Sequence, residues 1–132
     1  MQKTVAIVIK KNNKFLLIKR ANRPNKNYWA FPGGHVEKSE TIYQAAVREA
    51  KEEIGTAIIN KKSIYNFVHD PMVGHRHRCY VFIGTIAGRI KAGSETKDIG
   101  WFSLEQMKGM NLTDYTIHIL NHLASTQYSR QT

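Results

Sequence analysis

The sequence predicts an α/β (α+β) sandwich in which a mixed β-sheet lies between helices. Three observations carry that reading. Two β-rich segments open the chain, one capped helical segment sits near its middle, and further β-rich segments precede a terminal amphipathic helix. The 132 residues, 42% of them apolar, suit one domain spanning 1–132. No low-complexity tract, linker or internal repeat divides them.

Taken in order, Lys3–Lys10 and Lys14–Arg20 read as strands joined by a hairpin turn at Asn12-Asn13. Ala21–Tyr28 is polar, carries Pro24 and reads as a loop. Trp29–Val36 holds Pro32-Gly33-Gly34, read as a sharp turn at which backbone can approach something closely. The clearest helix follows, with Ser39 as N-cap, Glu40 near its start and Gly55 as its stop. Ile42, Ala45, Ala46 and Ala50 supply its small-residue face. Ala57–Val68 and His77–Ile86 read as strands, and Asp98–Phe102 as a short one. Ser103 and Gln106 form a capping box for the turn Leu104–Met107. Thr113–Tyr128 is the last helix, with Ile117, Leu120, His122 or Leu123, and Ala124 expected to face inward.

The longest apolar runs, Val5–Ile9 and Phe15–Ile18, are too short to span a bilayer, and no signal peptide is evident. Cys79 is the sole cysteine, so no intrachain disulfide can form, and a cytoplasmic location is expected. Twenty Lys and Arg stand against ten Asp and Glu, a net charge of +10 that favours capture of anions, whether a nucleotide or a polynucleotide phosphate. The carboxylates are unevenly spread: Glu37, Glu40, Glu49, Glu52 and Glu53 make up five of the ten.

On the central helix, residues three or four apart share a face, so Glu49, Glu52 and Glu53 are expected to project to one side. Such a cluster repels itself without a cation, and hard oxygen ligands suit Mg²⁺ or, as a substitute, Mn²⁺. A solvated acidic face paired with Arg48 and Lys51 is the plain alternative. The surrounding spacing decides between them. Gly34 is followed after five residues by Glu40, and after seven more by Arg48-Glu49-Ala50-Lys51-Glu52-Glu53-Ile54-Gly55-Thr56. This resembles the Nudix box, G-x5-E-x7-R-E-U-x-E-E-x-G-U, over residues 34–56, with every fixed letter in place. Ala50 and Thr56 depart from the bulky aliphatics usual at the soft positions, and both concern packing. The approach Trp29-Ala30-Phe31-Pro32-Gly33-Gly34 is similar to the family's own.

The resemblance implies an α/β/α sandwich with the box as loop-helix-loop. It implies Glu49, Glu52 and Glu53 as metal ligands, with a backbone carbonyl from Gly33 or Gly34. It implies Arg48 as the residue that orients a glutamate and Glu40 as the tie between loop and helix. In the MutT-like branch a further carboxylate lies six positions before a late tryptophan. Here Glu95 precedes Trp101 by that spacing, as added ligand or base, with Asp98 as rival. Glu49 is the first choice of general base and Glu95 the second.

Outside the box, Arg20 is expected to contact a substrate phosphate, or to be a surface arginine. Trp29 and Phe31 are expected to stack on a base, unless Trp29 is core. Arg78, Tyr80 and Phe82 alternate along one strand face that lines the pocket or the core. Asp114 either reads a base edge or caps the last helix. His69, His75 and His77 with Arg76 and Arg78 form a cationic rim rather than a zinc site, for lack of cysteines and regular spacing.

The family implies an Mg²⁺-dependent hydrolase that cleaves a pyrophosphate bond in a small nucleotide substrate. The first expectation is a MutT-like enzyme converting a nucleoside triphosphate to monophosphate and pyrophosphate. ADP-ribose or a nucleotide sugar is the alternative of the same kind, and removal of pyrophosphate from the 5′-triphosphate end of an RNA is another. A non-catalytic nucleotide sensor is disfavoured because every box glutamate is kept. No membrane association and no obligate protein partner are expected.

Overall fold

The computed structural model describes residues 1–23, 25–72 and 74–131, with side chains omitted for residues 71, 72 and 127–131. Its organising element is β1 (Gln2–Lys11), whose Val5–Ile9 run is buried on both faces. Alternate residues serve opposite layers, as strand pleating requires. Val5, Ile7 and Ile9 belong to one apolar cluster, whereas Ala6 and Val8 belong to the other. β2 (Lys14–Arg20) divides the same way, Leu16 and Ile18 against Phe15 and Leu17. The turn between them has Asn12 and Asn13 at φ 52° and 63°, the left-handed pair that a two-residue hairpin demands and that asparagine tolerates.

β3 (Trp29–Ala30) pairs with β2, and β4 (Gly33–His35) pairs antiparallel with β1, setting Val5 opposite Gly34. The helix α1 (Ile42–Ile54) follows, then the long strands β5 (Ile58–Met72) and β6 (His75–Ile86). β6 runs parallel to β1, with Gln2 opposite His77 and Ile9 opposite Gly84, and β5 lies antiparallel outside it. β7 (Thr96–Phe102) returns to pair with β2, and two helices close the chain, α2 (Leu104–Met107) and α3 (Asp114–Gln131). Among the described residues this is a mixed seven-stranded sheet. Ala45, Ala46, Ala50 and Ile54 of α1 cover one face, while Met107 of α2 and Ile119 of α3 cover the other. Ala50 and Thr56, the two soft departures within the box, are both buried.

The fold class and most element positions follow the sequence reading, with three corrections. The N-cap of α1 is Thr41, not Ser39: the Thr41 hydroxyl accepts from the Gln44 N–H while Gln44 answers the Thr41 N–H. Ser39 sits at φ 72°, outside the extended conformation an N-cap needs. Gly33-Gly34 forms a strand, not a sharp turn, although close backbone approach is what it provides. On α3, Ile117 and Ala124 are exposed, and Thr116 and Ile119 point inward in their stead. The capping box at Ser103 and Gln106 and the left-handed Gly55 are as expected.

Candidate active site

The site forms where α1 leans across β4. An added Cβ on Gly33 would run into the Val5 carbonyl, and one on Gly34 would stand 2.5 Å from the Glu49 carboxylate. The two glycines therefore let helix carboxylates lie directly against strand backbone. The Gly33 N–H donates to Glu53 Oε1 at 2.6 Å, a short bond of the charge-assisted kind.

Arg48 holds the flank of this arrangement. Its Nε and Nη2 donate to Glu40 Oε2 and Oε1 at 2.8 and 3.0 Å, a bidentate fork, and Nη2 also donates to the His35 carbonyl at 2.8 Å. Its Nη1 donates to Glu49 Oε1 at 2.9 Å and to Glu52 Oε2 at 3.3 Å. One guanidinium thus ties the loop before α1, strand β4 and two helix carboxylates together. The bond to Arg48 holds the Glu40 carboxyl below its ordinary range, and Glu40 in turn keeps Arg48 firmly protonated.

The three glutamates share one side of α1 but differ in burial. Glu49 and Glu53 turn inward to the glycine strand, whereas Glu52 stays largely exposed on the Arg48 side, its side chain 57% accessible. Loss of solvent raises Glu49 to about 6, against the pull of Arg48. It raises Glu53 further, to about 8, with Glu49 adding repulsion and the Gly33 N–H and Arg20 relieving only part. Two desolvated carboxylates, with Glu49 raising Glu53, form a pair whose ionised state a hard divalent cation would stabilise. Glu49 and Glu53, with carbonyl oxygens of the glycine strand, are the groups that could hold one. Among the described residues no three acidic, histidine or cysteine side chains already converge into a ligand shell.

Glu95 lies on the loop before β7. The Ala21 N–H donates to its carbonyl at 3.2 Å, which sets its backbone beside Arg20, and its side chain is exposed. That loop is docked on the C-terminus of α1: the Lys91 N–H donates to the Ile54 carbonyl at 2.8 Å and the Gly93 N–H to the Glu53 carbonyl at 3.3 Å. Asp98 instead uses its carboxylate on the Ile99 N–H at 2.8 Å. Arg20 ends β2 opposite Thr96, and its charge reaches Glu53.

Other sequence candidates scatter. Phe31, expected to stack on a base, is fully buried and meets Phe15 edge-on with centroids 6.0 Å apart, so its ring is core. Trp29 is half-buried, edge-on to Phe102 at 4.8 Å, with Lys19 Nζ 5.9 Å from its ring. Arg78 donates to Asn66 Oδ1 at 2.7 Å. Tyr80 is partly buried against the α1-side core, and Phe82 is wholly buried there. Asp114 opens α3, exposed, while the Thr113 carbonyl accepts the Ile117 N–H at 3.1 Å. The imidazoles of His35, His77 and His69 form an edge-to-face row, at 5.1 and 5.8 Å, on the α3 side of the sheet. Sequence reasoning overlooked Tyr115, whose O–H donates to the Phe31 carbonyl at 2.7 Å, and Thr116, which accepts the Phe31 N–H at 3.2 Å. No motif spacing marks either.

Comparison with known proteins follows the same lines. The family model for the NUDIX domain matches residues 1–121. An ADP-ribose pyrophosphatase from Methanocaldococcus jannaschii is 41% identical over 103 residues, which is 76% of this chain and 60% of that protein's length. An 8-oxo-dGTP diphosphatase from Buchnera aphidicola is 29% identical over 123 residues, 90% of this chain and 89% of the relative. The crystal structure of a MutT NUDIX hydrolase from Burkholderia pseudomallei superposes with a TM-score of 0.83 at 27% identity, covering 91% and 95% of the two chains.

Proposed function

The chain belongs to the Nudix family, and from that premise we propose that it hydrolyses a pyrophosphate bond in a nucleoside diphosphate-linked substrate with Mg²⁺, or Mn²⁺ in its place. Nudix hydrolases generally need a divalent metal. The observation that carries the proposal is the pair Glu49 and Glu53, desolvated against the Gly33-Gly34 strand, with the charge of Arg20 reaching Glu53. When bound there, the cation supplies charge neutralisation at the diphosphate and an activated water. The chain's own residues do the rest. Glu49 and Glu53 would hold the cation, with Glu52 as the third glutamate on the same helix. Arg20 binds a phosphate oxygen. Glu49 accepts the proton of the attacking water, and Glu95, carried on the loop fixed to α1, is the second choice for that role.

Attack by water at phosphorus breaks one P–O–P anhydride bond and delivers a proton to each cleaved side on net release. A nucleoside triphosphate would give monophosphate and pyrophosphate, the reading favoured by the spacing of Glu95 from Trp101. ADP-ribose would give AMP and ribose 5-phosphate, the reading favoured by the relative that is 41% identical. Trp29, Tyr80, Arg78 and Asp114 remain proposed substrate contacts, though Tyr80 packs on the α1 side of the sheet and Trp29 on the other; Phe31 is not among them.

The test is turnover of the purified protein with Mg²⁺ on ordinary and 8-oxo nucleoside triphosphates, ADP-ribose, nucleotide sugars and 5′-triphosphorylated RNA, with E53Q as control. Pyrophosphate release from a triphosphate, lost in E53Q, supports the first reading. AMP from ADP-ribose supports the second. Turnover of RNA alone, falling steeply with salt, would redirect the proposal to a nucleic-acid end. Activity undiminished in E53Q would overturn the assignment of the carboxylate pair.

A further inference from the structure

Glu53 accepts from the Gly33 N–H, so the placement of Gly33, set against Ala6 of β1 on one side and by the chain before it on the other, bears on where that carboxylate sits. Gly33 has no side chain, and any Cβ there would collide with Val5. Pro32 has no N–H; its carbonyl is taken by the Ile7 N–H at 2.8 Å. The last residue before Gly33 with both backbone groups available as anchors is Phe31.

Both of those groups are held by the start of α3. Thr116 Oγ1 accepts the Phe31 N–H at 3.2 Å and lies 2.8 Å from Thr113 Oγ1, both hydroxyls buried. Tyr115 donates its O–H to the Phe31 carbonyl at 2.7 Å. Two residues upstream the same segment grips again: the Trp29 N–H donates to the Asn111 carbonyl at 2.8 Å, and the Thr113 N–H donates to the Trp29 carbonyl at 3.1 Å. Residues 29–33 therefore form a splint, clamped at Trp29 by the segment just before α3 and at Phe31 by α3 itself, and ending on the carboxylate of Glu53. A buried backbone needs partners in any case; here both come from adjacent residues of α3, Tyr115 and Thr116, which couples that helix to the segment leading into Gly33.

We propose that Tyr115 and Thr116 are positioning residues for Glu53, acting through the backbone of Phe31 to set how that carboxylate meets a divalent cation. This rests on the reading of Glu53 as a cation ligand. Groups that hydrogen-bond a ligand directly typically change metal affinity by about 10–100-fold when removed, and residues acting through intervening backbone are expected at the lower end of that range.

The experiment is a Mn²⁺ titration followed by electron paramagnetic resonance on substrate-free protein, run beside the Mg²⁺ dependence of turnover, for wild type, Y115F, T116V, T116S and E53Q. Circular dichroism and melting temperature establish that each variant folds. Y115F and T116V are expected to bind Mn²⁺ about tenfold more weakly and to need correspondingly more Mg²⁺, with the KM for substrate at saturating metal little changed. T116S keeps the hydroxyl and is expected to restore both. If Y115F and T116V lower only the melting temperature while E53Q loses cation binding, the residues are structural and the inference is wrong. If E53Q itself retains Mn²⁺ affinity and turnover, the reading of Glu53 fails, and this inference fails with it.

Discussion

Glu53 is held in a place that disfavours its charge, and that has a measurable sign. Without a cation it titrates near 8 in the folded protein, against an ordinary value of 4.5. The native state then holds the proton more tightly than the unfolded chain. Its stabilising effect is complete below pH 4.5 and is lost as pH rises through 8. E53Q removes the charge while its amide oxygen can still accept from Gly33. It is expected to melt several degrees above wild type at pH 8 in chelator, and yet to turn over no substrate; scanning fluorimetry and a phosphate-release assay read the two effects. Arg48 shows the opposite dependence on geometry. R48K keeps the charge but cannot make the fork to Glu40 while also reaching His35, Glu49 and Glu52. A loss of about 10–100-fold in kcat/KM with unchanged net charge is the expected outcome. These residues were legible because fixed spacing on one helix determines which side chains share a side. Phe31 was not, since whether a lone aromatic is wall or core depends on Phe15 and α3, which no local pattern encodes.

At the scale of elements, α1 shows where local rules discriminate and where they do not. Ser39 and Thr41 are both good N-cap types, but only Thr41 has a glutamine three residues on, and the reciprocal bonds form there. The glycine pair reads as a turn from sequence alone; pairing with Val5 and Ala6 of β1, which no local pattern encodes, makes it a strand. The loop from Gly88 to Glu95 had no regular signature at all, yet it docks tightly on α1. A Cβ at Gly93 would strike the Glu52 carbonyl oxygen, and the Gly55 Cβ position lies 2.8 Å from the Lys91 carbonyl. G93A is therefore expected to lift this loop from the helix, at a cost of roughly 1–3 kcal/mol. Because Glu95 travels with the loop, activity is expected to fall more than stability does, which denaturant melts and steady-state kinetics on one preparation would separate.

Across the whole molecule, two sets of groups pull the pH dependence of stability in opposite directions. Burial, together with neighbouring imidazoles, holds His69 and His77 below their ordinary 6.5. They favour the fold above that value and withdraw support as pH falls. Glu49 and Glu53 withdraw theirs as pH rises. A cation that binds both carboxylates would abolish only the second slope. Added Mg²⁺ is thus expected to raise the melting temperature strongly at pH 8 and hardly at pH 5, and a chelator is expected to reverse it. No helix among the described residues is long and apolar enough to cross a membrane.

The parallel pairing of β1 with β6 sets the timetable of synthesis. Gln2 must wait for His77, and Ile9 for Gly84, before either has its neighbour. On a ribosome β1, with its buried Val5–Ile9 run, emerges well before β6 and stays half-paired until that strand is made. Such distant contacts slow folding and leave a sticky edge in the meantime. A nascent chain halted before β6 is the species from which aggregates should grow, and it is the one a holding chaperone would meet.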